Sequence, residues 1–319
     1  MSDTEFDGLL GLLILSAAQK DNHLPSNEPF NPEISGNRYH VTMRCDRFDY
    51  LLECLRFDDY NTRADRRKTD NFAPIREVWD LFIAACRSSY KPGSFLTIDE
   101  QLLAFRGRCN FRMYIPNKPD KYGLKLVLMC DNATKYMVDA IPYTGKTLNS
   151  EGLPQAKFFV KKLSTTCHGS NRNITVDNWF NSVPLATSLL EDPYKLTIVG
   201  TLKKNKREIP PEMVHPKNRA IGTSMFCFDG PKTIVSYKAK SSKVVLLLST
   251  CHEKPVIDQV SKKPQIIETY NATKGDILDQ IRLNVGLCAC SMACIMNIIL
   301  VIAYVIYVTN VVRTGQKPI

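Results

Sequence analysis

None of the eleven cysteines belongs to a C-x-x-C pair. The closest cluster, Cys288, Cys290 and Cys294, lies in an apolar stretch with no histidine beside it. That spacing and setting argue against a structural zinc site. No secretory signal precedes the thiols, because Asp3, Glu5 and Asp7 stand where such a signal carries positive charge. An odd number of thiols without a signal points to a reducing intracellular setting rather than a disulfide framework. Histidine is scarce: His23, His40, His168, His215 and His252 are scattered and carry no assigned role. Internal repeats and low-complexity tracts are lacking, which excludes repeat architectures.

What is present describes a globular, basic chain. Its 319 residues suggest two or three domains, and 44% hydrophobic residues supply a sizeable core. Lysine and arginine outnumber aspartate and glutamate by 42 to 32, a net charge of +10. Such a balance fits an anionic partner such as nucleic acid, although a merely basic protein has the same composition.

Residues 1–94 read as mostly helical. Leu9, Leu10, Leu12, Leu13 and Leu15 suggest a buried helix; Phe48, Leu51, Leu52 and Leu55 recur at helical spacing, as do Val78, Leu81, Phe82 and Ala85. Between the last two groups, Asp58 to Asp70 reads as a charged, turn-rich connection. After Pro92-Gly93 the pattern changes. Phe95–Ile98, Leu124–Met129, Asn173–Val176 and Lys195–Val199 read as buried strands, and Pro184–Leu190 as a helix, so an α/β or α+β layered structure is expected. Residues 204–264 read as a β-rich insertion, with strands at Phe226–Phe228, Thr233–Tyr237 and Val244–Leu248. No residue from Val285 to Val308 is charged, a run long enough to span a bilayer.

Acidic residues stand at the ends of two of these strands. Asp99 follows Phe95–Ile98, and Asp177 follows Asn173–Val176. Asp276 and Asp279 form a D-x-x-D pair that would share one face of a helix. Carboxylates so placed can hold two divalent ions for phosphodiester chemistry, whereas a single aspartate more often caps a turn or helix.

The words around these residues decide between the two. Thr97-Ile98-Asp99-Glu100-Gln101, Arg106-Gly107-Arg108, Tyr114-Ile115-Pro116-Asn117-Lys118-Pro119, Arg172 to Phe180 and Tyr270 to Gln280 resemble the piggyBac transposase family, as do Leu55 to Asp59 and Ala73 to Arg76. The resemblance runs in order over residues 4–284. It implies an RNase H-like (DDE) catalytic core with a β-rich insertion and a flanking helical domain that binds DNA and dimerises. The implied divisions are 1–94 for the helical domain, completed by 286–319; 95–203 for the first part of the core; 204–264 for the insertion; 265–285 for the last acidic motif; and 286–319 for an apolar C-terminal helix. Position by position, Asp99, Asp177, Asp276 and Asp279 match the family's catalytic, metal-binding acids. The implied reaction is cutting and joining of double-stranded DNA with Mg²⁺ or Mn²⁺ in a two-ion site, by a homodimer in the nucleus, with no small-molecule cofactor and no membrane partner.

Basic residues near these motifs are candidates for holding DNA phosphates: Arg106, Arg108, Arg112, Lys118, Lys121, Lys125, Lys203, Lys204, Lys206 and Arg207. Trp179 and Tyr122 are candidates either for stacking on bases or for the core.

Three departures from the family pattern shape the expected function. Gly275 runs directly into Asp276, about two residues short of the family's third motif, and a displacement of ~1 Å can cost about 10²-fold in rate. A basic segment after Gln280 is absent, which joins two apolar pieces and makes 285–308 a core helix rather than a membrane span. The family's acidic N-terminal tail and C-terminal Cys/His module are also missing, so both ends of the usual protein are expected to be absent. These departures favour incomplete or impaired transposition, with a domesticated or decayed, non-catalytic DNA-binding protein as the alternative.

Overall fold

The computed structural model describes residues 1–274 apart from 20, 22–23, 106–108, 117–120 and 146–149. The chain opens with helices α1 (Asp3–Gln19), α2 (Pro32–Ser35), α3 (Cys45–Cys54), α4 (Tyr60–Thr69) and α5 (Arg76–Ser89). Leu9 and Leu12 of α1 pack on Phe48, Leu51 and Leu52 of α3 around Phe30 and Tyr39, so the apolar spacing in these two segments does mark the buried faces.

Two expectations here need correction. Asp58–Asp70 is not a turn-rich connection, because most of it is helix α4. That helix buries no residue, so it leaves no apolar period to read. Polar groups hold it instead: Asp59 accepts the N–H of Asn61 at 2.9 Å as the N-cap, Arg63 and Arg66 reach back to Asp58, and Arg66, Arg67 and Lys68 occupy the last turn. In α5 the buried face is Trp79, Ile83 and Cys86 rather than Leu81 and Ala85, and Leu81 is 67% exposed. Val78 and Phe82 of the expected stripe also pack, half-buried, against this cluster, which centres on the large Trp79 ring.

The sheet follows: β1 (Phe95–Ala104), β2 (Met113–Tyr114), β3 (Tyr122–Asp131), β4 (Met137–Pro142), α6 (Gln155–Leu163), β5 (Asn173–Val176), α7 (Val183–Leu190), β6 (Thr197–Thr201), α8 (Pro211–Val214), β7 (Ser224–Asp229), β8 (Lys232–Lys240), β9 (Lys243–Ser249) and α9 (Gln265–Lys274). Its first half runs β4-β3-β1-β5-β6, with β3 antiparallel to both β4 and β1, and β5 and β6 parallel to β1. This is the RNase H-like arrangement. Strands β9, β8 and β7 then continue the same sheet, with β9 antiparallel to β6.

Both faces of the sheet are covered. Leu96, Ile98, Ile174 and Val176 point to the side packed by α6 and α7. On the other side α5 covers Leu124, Leu126, Leu128 and Cys130 of β3, while Ile266, Ile267 and Tyr270 of α9 cover Val199, Val235 and Leu247. Between those two covered areas lie the middle of β1 and β5, where Thr97, Asp99 and Gln101 and then Asn173 and Thr175 give this face a polar stretch. No helix among the described residues is long and apolar enough to cross a membrane. The expected apolar helix at 286–319 and the run 285–308 fall outside the described residues.

Candidate functional site

The parallel pairing of β1 with β5 places the two aspartates. The register runs Phe95↔Asn173, Leu96↔Ile174, Thr97↔Thr175 and Ile98↔Val176, so the next step sets Asp99 level with Asp177. Side chains alternate between faces along a strand. Thr97 and Asp99 therefore share the polar face with Thr175 and Asp177. Asp99 does not terminate its strand, as expected, but lies in its middle. Strand β1 continues to Ala104 because β3 pairs with it as far as Ala104↔Gly123.

Asp177 leaves β5 at its carboxyl end and caps the turn that follows. Its Oδ1 accepts the N–H groups of Trp179 (2.8 Å) and Phe180 (3.4 Å). Its Oδ2 has no hydrogen-bond partner among the described residues. The capping role and the ligand role are thus compatible, one oxygen serving each. Asp99 Oδ1 accepts the N–H of Glu100 at 2.8 Å. Gly200, opposite Val176, lets β6 lie close to this turn, because a Cβ there would stand 2.4 Å from the Val176 carbonyl oxygen and 2.9 Å from Asn181 Nδ2.

Helix α9 reaches the same face. Thr97 Oγ1 and Asn132 Nδ2 donate to the Thr273 carbonyl at 2.7 and 2.6 Å, and Thr175 Oγ1 bonds Thr273 Oγ1 at 2.7 Å. The last turn of α9 therefore sits on β1 and β5, one same-face position before each aspartate. Lys274 follows. Burial works against its ammonium, but Tyr270, whose ring centroid is 5.4 Å away, and the charges of Asp99 and Asp177 outweigh burial and raise its pKa.

Asp276 and Asp279 lie outside the described residues. Among the described residues no three His, Cys, Asp or Glu side chains gather as a metal site. Asp99 and Asp177, brought level by the strand register, offer oxygen donors that fit a hard divalent cation, and Asp177 Oδ2 has no hydrogen-bond partner among the described residues.

Of the basic candidates, Arg106, Arg108 and Lys118 fall outside the described residues. Lys203, Lys204 and Arg207 are exposed, and Lys206 half-buried, in the loop leaving the carboxyl end of β6. That is the end of the parallel strands at which Asp177 stands. Lys121 is exposed, and Arg112 lies over the Tyr122 ring at 5.3 Å. Trp179 is half-buried against Phe159 and Phe180, which makes it part of the packing. Lys125, also a phosphate candidate, is instead buried and paired with Glu100 at 2.6 Å on the face opposite Asp99. Sequence reasoning missed that pair and the place of Lys274, because no local signal marks partners on other strands. His252 is not isolated either: Ser249 Oγ lies 2.7 Å from Nδ1 and Thr269 Oγ1 3.1 Å from Nε2, which ties the end of β9 to α9.

The family model described as Transposase IS4 matches residues 1–286. Among curated proteins the chain is similar to PiggyBac transposable element-derived protein 3 of Homo sapiens, 24% identical over 300 residues, covering 87% of this chain and 49% of that one. It is likewise 24% identical over 300 residues to the Chimeric ERCC6-PGBD3 protein of Homo sapiens, covering 87% of this chain and 27% of that one. The chain thus spans about half the length of the first relative and about a quarter of the second. Among solved structures, a cryo-EM structure of a piggyBac transposase synaptic complex with hairpin DNA matches with a TM-score of 0.85 and 46% identity, over 99% of this chain and 68% of that chain.

Proposed function

The chain belongs to the piggyBac-type transposase family, and from that premise we propose that it binds double-stranded DNA and catalyses divalent-metal-dependent strand cleavage and joining. The observation that carries this reading is the level placement of Asp99 and Asp177 on adjacent parallel strands, on a polar strip of the sheet. Asp99 and Asp177 would hold Mg²⁺ or Mn²⁺, with Asp276 and Asp279 completing a two-ion site. When bound, such ions lower the cost of charge on the attacking and leaving oxygens of a phosphodiester.

The chain's own residues prepare that site. Thr97, Thr175 and Asn132 anchor Thr273 and so hold the end of α9 on the two strands. The Trp179 N–H holds Asp177 through Oδ1 and leaves Oδ2 for a ligand. Exposed Lys203, Lys204 and Arg207 supply positive charge for DNA phosphates at the same end of the sheet. On this reading the protein acts as a homodimer in the nucleus.

A second reading, a domesticated or decayed protein that binds DNA without cutting it, is favoured by Gly275 standing directly before Asp276. One experiment separates the two: nicking of supercoiled DNA by the purified chain with Mg²⁺ or Mn²⁺, against Asp177→Asn. Nicking that the variant loses supports the enzyme. Retained DNA binding with no nicking by the folded wild-type chain would overturn catalysis and leave the second reading.

A further inference from the structure

The two aspartates are each held by a main-chain amide, and the side chains of the two amide donors meet at one lysine. Asp99 Oδ1 accepts the N–H of Glu100, and Asp177 Oδ1 accepts the N–H of Trp179, both at 2.8 Å. On the far side of the sheet, Glu100 and Trp179 converge on Lys125 of β3. Its Nζ donates to Glu100 Oε2 at 2.6 Å and stands 4.6 Å from the Trp179 ring centroid and 5.5 Å from that of Tyr143.

The Lys125 side chain is only 10% exposed. An ammonium this buried is costly unless its charge is met. Here one carboxylate and two ring faces meet it. The pairing Leu102↔Lys125 puts Lys125 on the same face as Glu100 and Leu102, opposite to Asp99. Lys125 therefore cannot touch a ligand on the polar strip, and any influence on the site passes through Glu100 and Trp179. Nor is the ion pair needed to join its strands, since β1 and β3 are already paired continuously from Leu96↔Asp131 to Ala104↔Gly123. What it fixes is the direction of two side chains, one in the middle of β1 and one in the turn after β5.

We propose that Lys125 is a positioning residue that couples the orientations of Asp99 and Asp177. It holds Glu100 beside one and Trp179 beside the other, so that each carboxylate is fixed through its Oδ1. The consequence for metal binding rests on the proposed two-carboxylate site, whereas the mechanical link from Lys125 to Trp179 does not.

The test measures two things in the full chain: exchange of the Trp179 N–H by NMR, relative to the Ala186 N–H in α7, and Mn²⁺ binding. Lys125→Met keeps the aliphatic stem and removes the charge. It is expected to speed Trp179 exchange by about tenfold relative to Ala186 and to weaken Mn²⁺ binding about 10-fold or more. Lys125→Arg should restore much of both, whereas Trp79→Phe, in a separate cluster, should change neither. A folded Lys125→Met chain whose Trp179 N–H exchanges as in wild type overturns the proposal, whether or not Mn²⁺ binds. Faster Trp179 exchange with unchanged Mn²⁺ affinity overturns the coupling to the aspartates. Failure of the wild type to bind Mn²⁺ brings down the metal reading instead, and the exchange ratio still decides the link. Should Lys125→Met not fold, the isosteric Glu100→Gln is read by the same ratio.

Discussion

Two ion pairs are buried against this sheet, and they are buried in opposite senses. In Lys125–Glu100 the cation is the enclosed partner, 10% exposed against 27% for the carboxylate. In Arg87–Asp139 the anion is enclosed at 0%, while the arginine is 41% exposed. The first joins two strands that their own hydrogen bonds already hold together. The second reaches from α5 to β4, elements 52 residues apart at the paired positions, with Arg87 Nε and Nη2 donating to Asp139 Oδ2 at 3.0 and 2.6 Å. One pair aims side chains, and the other fastens a helix to the core. Burial pushes the Asp139 carboxyl up to about 6 although Arg87 pulls it down, so its charge is held at a cost.

That contrast can be broken most sharply at Arg87. Arg87→Met leaves Asp139 buried without its partner, and should cost about 3 kcal/mol of stability at pH 8. At pH 5 the carboxyl takes a proton and the loss should shrink to about 1 kcal/mol. Urea denaturation at the two pH values checks this, and equal losses would contradict the account. A smaller effect is expected from Asp139→Asn. Because the folded pKa lies above the unfolded one, the native state holds the extra proton between about pH 4 and pH 6. This residue's contribution is full below that window and is lost as pH rises through about 6. The disadvantage of the variant relative to wild type should therefore fall by roughly 2 kcal/mol from pH 4 to pH 7. The smallest stability change belongs to Glu100→Gln, about 1–2 kcal/mol, because the amide oxygen still accepts from Lys125 but no longer meets its charge, while its Trp179 N–H exchanges faster. A loss as large as that of Arg87→Met would erase the distinction between the pairs.

Much of the polar strip was legible in the chain because it is written locally. Short apolar runs ending in an acid gave β5 and Asp177, and the Tyr270–Gln280 words open on the last turns of α9. The strand at Phe95–Ile98 was read too short, because its continuation through Glu100 and Gln101 is polar and is extended by pairing with β3, a partner more than 20 residues away. Helix α4 was invisible for the reason that it buries nothing. The link through Lys125 was beyond reach for a different reason: Glu100, Lys125 and Trp179 meet only once three separate segments are folded, and each alone reads as an ordinary charged or core residue. Register, not composition, brings them together.

The central claim is that Asp99 and Asp177 act as one pair. The most direct test is a Mn²⁺ titration followed by electron paramagnetic resonance on the wild type, Asp99→Asn, Asp177→Asn and the double variant. Each single change is expected to weaken binding at least about tenfold, and the double variant to be little worse than either, because one missing wall already opens the site. Single variants that bind Mn²⁺ as tightly as the wild type, while folded, would contradict it.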